Sequence, residues 1–355
     1  MSRFLSEAYA SLVEYVPGEQ PQDKKYIKLN TNESPYPPSD AVLDAVNREA
    51  AEKLCLYSDP ESKELKGALA ALYGFSPENV FVSNGSDDIL NFAFMAFGKT
   101  DGVAYPDITY GFYKVFAELH GLSSQVIPLC EDFTVDHNQY LSLGRMIVLA
   151  NPNAPTGVTL SLSAIDEIVA SNPDHVVLID EAYVDFGAES ALPLIRKYKN
   201  LLVVQTFSKS RSMAGARLGF AFADAEIIRD LEKIKYSTNP YNVNRITQAA
   251  GVAALGENEY YLANCQRIIK AREYTEKALS ELGFTVLPSS ANFVFARHAF
   301  VGGETIYRKL KEKGILVRHF TGTRIFDFNR ITIGTMIDMQ KLIYTLRNII
   351  TEEKK

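Results

Sequence analysis

Short apolar runs alternate with stretches of helical periodicity along the first two thirds of the chain. The runs at 80–82, 103–105, 126–127, 146–150, 175–179, 201–205 and 218–222 read as strands, and helical spacing fills 89–97, 110–119 and 164–170 between them. Two helices precede this series. Ser39 is placed to cap one, whose apolar positions are Val42, Leu43 and Val46, and Gly74 closes the other at 61–73. The alternation predicts an α/β fold in which a mostly parallel central sheet carries helices on both faces. Beyond Asn239 the pattern changes to helices at 243–255 and 260–282, then strands at 284–286, 291–296, 315–318 and 330–333, with a helix at 305–313 and another at the end. That pattern predicts a smaller α+β domain. The expected division is an N-terminal arm over 1–24, a large domain over 25–254 whose first part, to about 50, packs toward the small domain, and the small domain over 255–355.

Composition narrows the class. With 46% hydrophobic and 23% charged residues the chain reads as an ordinary globular protein. A net charge of −6, with lysines and arginines scattered, argues against a nucleic-acid partner. No run of about 18 apolar residues predicts a membrane span, and the first residues carry no signal-peptide pattern, so a cytoplasmic location is expected. Cys55, Cys130 and Cys265 are odd in number and widely spaced, as reduced thiols are. The five histidines form no metal-ligand spacing, and no metal is expected.

In open parallel sheets, ligands bind beyond the carboxyl ends of the strands. Four strand ends carry polar groups: Ser83-Asn84-Gly85-Ser86-Asp87, Asn151-Pro152-Asn153, Asp180-Glu181-Ala182-Tyr183 and Thr206-Phe207-Ser208-Lys209. The first leads into a helix start, where free N–H groups and the helix dipole favour a phosphate. Asp180, at the end of an apolar run, calls for a cationic partner. Lys209 follows an apolar strand, and Arg217 lies eight residues on; burial and a neighbouring cation both favour the neutral, nucleophilic amine. Taken singly, these features are those of a capped turn, an ion pair and a surface lysine. Their combination is specific.

Asn84-Gly85-Ser86-Asp87, Pro155-Thr156-Gly157, Asp180-Glu181-Ala182-Tyr183, Ser208-Lys209 and Arg217, in that order, resemble the fold-type I pyridoxal-phosphate (PLP) dependent aminotransferases of class I/II, and within them the histidinol-phosphate aminotransferases. The resemblance runs from Leu29-Asn30-Thr31-Asn32-Glu33-Ser34-Pro35 to Arg330-Ile331-Thr332-Ile333-Gly334-Thr335. It implies that Lys209 carries the cofactor as a Schiff base and moves protons, that Asp180 pairs with the pyridine nitrogen, that Tyr183 bonds the ring hydroxyl and that Tyr110 stacks on the ring. Gly85, Ser86, Asp87, Thr206, Ser208 and Arg217 match the phosphate cup. One departure stands out: the family's Asn before Pro-Thr-Gly is Ala154 here, leaving Asn153 as the candidate for the ring-hydroxyl contact.

For substrate, the resemblance assigns Asn30, Asn292, Arg318 and Arg330, the arginines holding a phosphate or the carboxylate of glutamate. Tyr57 would reach a neighbouring subunit's site, implying a homodimer with shared active sites. The implied reaction moves the amino group of a phosphorylated amine, histidinol phosphate, to 2-oxoglutarate, giving glutamate and imidazole acetol phosphate. An aromatic amino acid aminotransferase or a PLP-dependent threonine-phosphate decarboxylase would share most of these residues. A PLP-fold effector module without turnover is the reading from a different class.

Overall fold

The computed structural model describes residues 5–6 and 9–353. Its strands are β1 (Ile27–Leu29), β2 (Val80–Ser83), β3 (Val103–Pro106), β4 (Ser124–Ile127), β5 (Met146–Ala150), β6 (Val177–Asp180), β7 (Leu201–Thr206), β8 (Gly219–Ala223), β9 (Phe284–Val286), β10 (Phe293–His298), β11 (Ile315–His319) and β12 (Phe328–Thr332). Seven of them form one sheet in the order β2-β8-β7-β6-β5-β3-β4, and five form another in the order β1-β11-β12-β10-β9. In the larger sheet only β8 runs antiparallel to its neighbours, β2 and β7. The expected α/β architecture is therefore present, with its mostly parallel sheet and a smaller second sheet.

The central strands are apolar almost without interruption because both their faces are covered. Successive residues of β6 and β7 enter opposite cores: Val177, Ile179, Leu201 and Val203 pack on one side, and Leu178, Leu202 and Val204 on the other. A third core lies against the second sheet, built on Phe293, Ile315, Val317 and Ile331 together with the buried face of the last helix, Met336–Glu353. Among the described residues no helix is long and apolar enough to cross a membrane.

Three local departures from the pattern have physical causes. The run 175–179 becomes a strand only from Val177 and extends to Asp180, because His175 turns back to bond the carbonyl of Asn172. Ser39 stands at the start of the helix Asp40–Ala45 but makes no side-chain cap; its hydroxyl accepts from Tyr261 on the helix Asn258–Glu281. The helix Ala225–Thr238 was not evident from hydrophobic pattern because its exposed face is heavily charged. It is anchored by Ile227, Ile228 and Leu231 and capped by Asp224, whose carboxylate accepts from the Glu226 N–H.

Candidate active site

The carboxyl ends of β2, β5, β6 and β7 open onto a cleft of about 790 Å³, within the range of small-molecule sites. Ser86, Asp87, Tyr110, Asp180, Tyr183, Thr206, Ser208, Lys209 and Arg217 line it, joined by Asn30, Arg318 and Arg330 from the other side. Residues 120 or more apart are brought together because every parallel strand ends on the same edge of the sheet.

Asp180 ends β6 and is 5% exposed. Its Oδ2 accepts from the Tyr113 hydroxyl at 2.8 Å and its Oδ1 from the Ala182 N–H at 3.2 Å. No salt bridge reaches it among the described residues. Burial outweighs those two donors and pushes its pKa up to about 6. A cationic ring nitrogen is the kind of partner such a carboxylate lacks.

Lys209 follows β7. Its Nζ lies 3.4 Å from the Thr31 carbonyl oxygen and 5.7 Å from the centre of the Tyr183 ring. Tyr183 is held edge-on to Phe293, with ring centres 5.0 Å apart, and its hydroxyl accepts from Asn32 Nδ2 at 2.9 Å.

The phosphate-cup candidates surround the start of the helix Ser86–Phe97. Gly85 precedes it at φ +86°, a conformation glycine adopts without strain, and a Cβ there would lie 2.7 Å from Arg217 Nη2. Gly219 on β8 packs still closer, since a Cβ on it would stand 2.4 Å from both Gly85 C and Ser86 N. Arg217 is in the left-handed region at φ +53° and pairs with Asp87 at 2.9 Å, while Asp87 also accepts from the Tyr110 hydroxyl at 2.8 Å. Thr206 Oγ1 donates to Ser208 Oγ and accepts from the Ser208 N–H. Two hydroxyls, a guanidinium and a helix start around one glycine turn form a cradle suited to a dianion.

Across the cleft, Arg330 lies between Phe293 and Phe320, 5.4 and 5.9 Å from their ring centres, and donates from Nη2 to the Asn30 carbonyl. Among the described residues nothing accepts from its buried Nε, and burial lowers its pKa. Arg318 donates to the carbonyls of Val16 and Pro17 at 2.9 and 3.0 Å.

Four sequence candidates do not line the cleft. Gly85 contributes backbone beneath Arg217. Asn153 is 3% exposed and its amide is fully engaged: its Nδ2 donates to the Ile108 carbonyl and to Thr156 Oγ1, and its Oδ1 accepts from Thr109 Oγ1. Asn292 is wholly buried and donates to the Asn32 carbonyl. Tyr57 is 79% exposed and stacks on Tyr241, ring centres 4.5 Å apart.

Sequence reasoning missed Tyr113, Asn32 and Tyr15. Tyr113 lies in the first turn of the helix Phe112–Leu119, three residues after Tyr110, which sits in the turn before it; the two rings meet edge-on with centres 5.7 Å apart. Tyr15 lines the cleft and stacks on Phe112 at 4.1 Å, yet it belongs to a polar, proline-containing opening without periodicity. Asn32 sits inside a stretch of the resemblance but carried no motif of its own.

Residues 24–346 match the family model described as aminotransferase class I and II. A histidinol-phosphate aminotransferase from Brachyspira hyodysenteriae is 50% identical over 352 residues, 99% of each chain. One from Clostridium acetobutylicum is 46% identical over 351 residues, 99% of this chain and all of that one. Among solved structures, a histidinol-phosphate aminotransferase from Sinorhizobium meliloti in complex with pyridoxal-5'-phosphate aligns with a TM-score of 0.87 at 25% identity, covering 99% of this chain and 100% of that chain. A family match over nearly the whole chain, with close relatives of the same length, identifies the protein as a member of the class I and II aminotransferases.

Proposed function

We propose that this protein is a histidinol-phosphate transaminase that uses pyridoxal 5'-phosphate to exchange an amino group between histidinol phosphate and 2-oxoglutarate. The observation that carries the reading is one cleft holding a phosphate cradle, a lysine and an uncompensated buried carboxylate on one wall, with two arginines on the opposite wall. When bound, the cofactor supplies the aldehyde that takes up the amino group and the ring that withdraws electrons.

The chain's own groups account for the rest. The Lys209 amine is the base and acid that moves a proton at the substrate carbon. Asp180, confined by Tyr113 and the Ala182 N–H, would supply the negative charge that pairs with the cofactor's ring nitrogen. Arg217, Ser86, Ser208 and Thr206 hold the cofactor phosphate. Arg330 and Arg318 receive the anionic end of each substrate, a carboxylate in one half-reaction and a phosphate in the other. Arg330 suits this because its guanidinium keeps a buried donor, Nε, that no described residue pairs.

The same reading makes the enzyme a cytoplasmic homodimer with Tyr57 crossing into the partner's site. In support, Leu54, Leu56 and Tyr57 are exposed within one short segment, 56, 61 and 79% accessible, and Tyr57 stacks on Tyr241, itself 43% accessible; exposed apolar side chains gathered in this way mark an interface. Sedimentation of the purified protein as a monomer would refute the dimer.

Steady-state transamination with 2-oxoglutarate tests the substrate. Histidinol phosphate is expected to exceed phenylalanine in kcat/KM by at least about a hundredfold, because phenylalanine brings the arginine pair a single carboxylate charge in place of a phosphate dianion. Threonine phosphate should not be decarboxylated. Preference for phenylalanine, release of CO2, or bound cofactor without amino transfer would each overturn the assignment.

A further inference from the structure

Ala154 occupies the position where a side-chain donor to the cofactor ring oxygen was expected, and the amide of Asn153 is spent on Thr156, Ile108 and Thr109. Tyr183 is then the remaining donor beside Lys209. A tyrosine hydroxyl has one hydrogen, so which way that hydrogen points decides whether it serves the cofactor at all.

The surroundings of Asn32 settle the direction. Asn32 is 1% exposed and sits at φ +57°, which Asn tolerates better than most residues. Its backbone N–H donates to Thr332 Oγ1 at 3.0 Å, and its carbonyl accepts from Asn292. Thr332, 2% exposed, therefore has a lone pair already taken, and its hydroxyl hydrogen goes to Asn32 Oδ1 at 2.8 Å. The reversed amide would put two donors on Thr332 Oγ1 and leave that hydrogen stranded in the core. With Oδ1 fixed toward Thr332, Nδ2 faces Tyr183 Oη at 2.9 Å. An amide nitrogen can only donate, so Tyr183 accepts there and keeps its own hydrogen for the cleft. Among the described residues nothing else accepts from that hydroxyl.

We propose that Asn32 is a positioning residue: anchored by Thr332 and Asn292, it aims the Tyr183 hydroxyl hydrogen at the cofactor's ring oxygen, which makes up for the absence of a donor at Ala154. That oxygen is adjacent on the ring to the carbon through which the lysine holds the cofactor, so a phenol beside Lys209 is well placed to meet it. The inference rests on the cofactor reading and on no choice of substrate.

The test is the visible absorption of the cofactor-loaded, substrate-free enzyme as a function of pH. A donor to the ring oxygen stabilises its anion and makes the linked lysine nitrogen easier to deprotonate, so removing the donor raises the pH at which the yellow colour fades. Asn32→Gly, which suits the positive φ, should raise that midpoint by about one pH unit, the scale expected for weakening one hydrogen bond to a charged oxygen. In the Tyr183→Phe background the same substitution should add nothing. Thr332→Val, which releases the amide while keeping side-chain shape, should move the midpoint the same way and keeps the test open if Asn32→Gly does not fold. An unmoved midpoint in the variant that folds, or an equal shift with and without the tyrosine hydroxyl, overturns the proposal. A parent enzyme that takes up no cofactor would instead fail the cofactor reading itself.

Discussion

The Tyr113 hydroxyl donates to Asp180 Oδ2 across 2.8 Å, from a ring that is itself fully buried. This bond favours the ionised carboxylate against the burial that opposes it. Tyr113→Phe removes it and leaves the packing against Phe94 and Tyr105 in place. The expected result is a fall in kcat/KM of about tenfold, with the acidic limb of the pH–rate profile moved to higher pH. Steady-state kinetics across pH would show it; an unchanged profile would mean the bond is structural only.

Stability of the cofactor-free protein should depend on pH in the sense opposite to that of a salt-bridged acid. Burial raises Asp180 to about 6 and its neighbour Glu181 to about 7. The folded state therefore holds protons that the unfolded chain releases near pH 4, and stability declines as pH rises from there through 6 and 7. For Asp180 alone the loss is on the order of 3 kcal/mol. Urea unfolding at pH 5 and pH 8 measures it, and Asp180→Asn should reduce the difference between the two. Added cofactor, by bringing a cation to Asp180, should stabilise more at pH 8 than at pH 5.

Gly219→Ala tests the cradle from behind. The new methyl would meet backbone atoms of Gly85 and Ser86 at 2.4 Å, and neither can rotate aside. The expected cost is about 1–3 kcal/mol of stability, together with cofactor affinity at least about tenfold weaker. Thermal unfolding and titration with cofactor read the two separately.

Lys209→Ala should lower turnover by at least about a thousandfold, since it removes both the proposed covalent anchor and the proposed proton carrier. In the unsubstituted enzyme, borohydride reduction followed by peptide mass analysis should place the cofactor on the peptide containing Lys209. Recovery of the label on another lysine would contradict the assignment.

Much of this arrangement could be read from residues next to one another in sequence. The strand ends at Asp180 and Thr206 were visible because an uninterrupted apolar run stops at a polar group, and parallel topology carries such stops to one edge. The contacts that orient those groups were not visible, because they join distant segments. Tyr113 lies 67 residues from Asp180 and Asn32 lies 151 from Tyr183, so neither pairing leaves a periodic trace. Asn153 shows the same thing: it is the right residue type one position away from the expected one, and its amide is consumed by Thr156 nearby and by Ile108 and Thr109, 45 and 44 residues earlier. The helix Ala225–Thr238 escaped notice because a charged outer face hid the narrow apolar stripe of Ile227, Ile228 and Leu231.

The three-residue strand β1 has a consequence for truncated forms of the protein. It lies along the outer edge of β11, register Ile27 to Ile315 through Leu29 to Val317, and β11 is an apolar strand. A version beginning after Leu29 would bare a row of unsatisfied amide and carbonyl groups beside buried leucine and valine side chains. Such an edge recruits strands from other molecules, so the shortened protein should precipitate or form ladders of stacked chains even where Lys209 and the cradle remain intact.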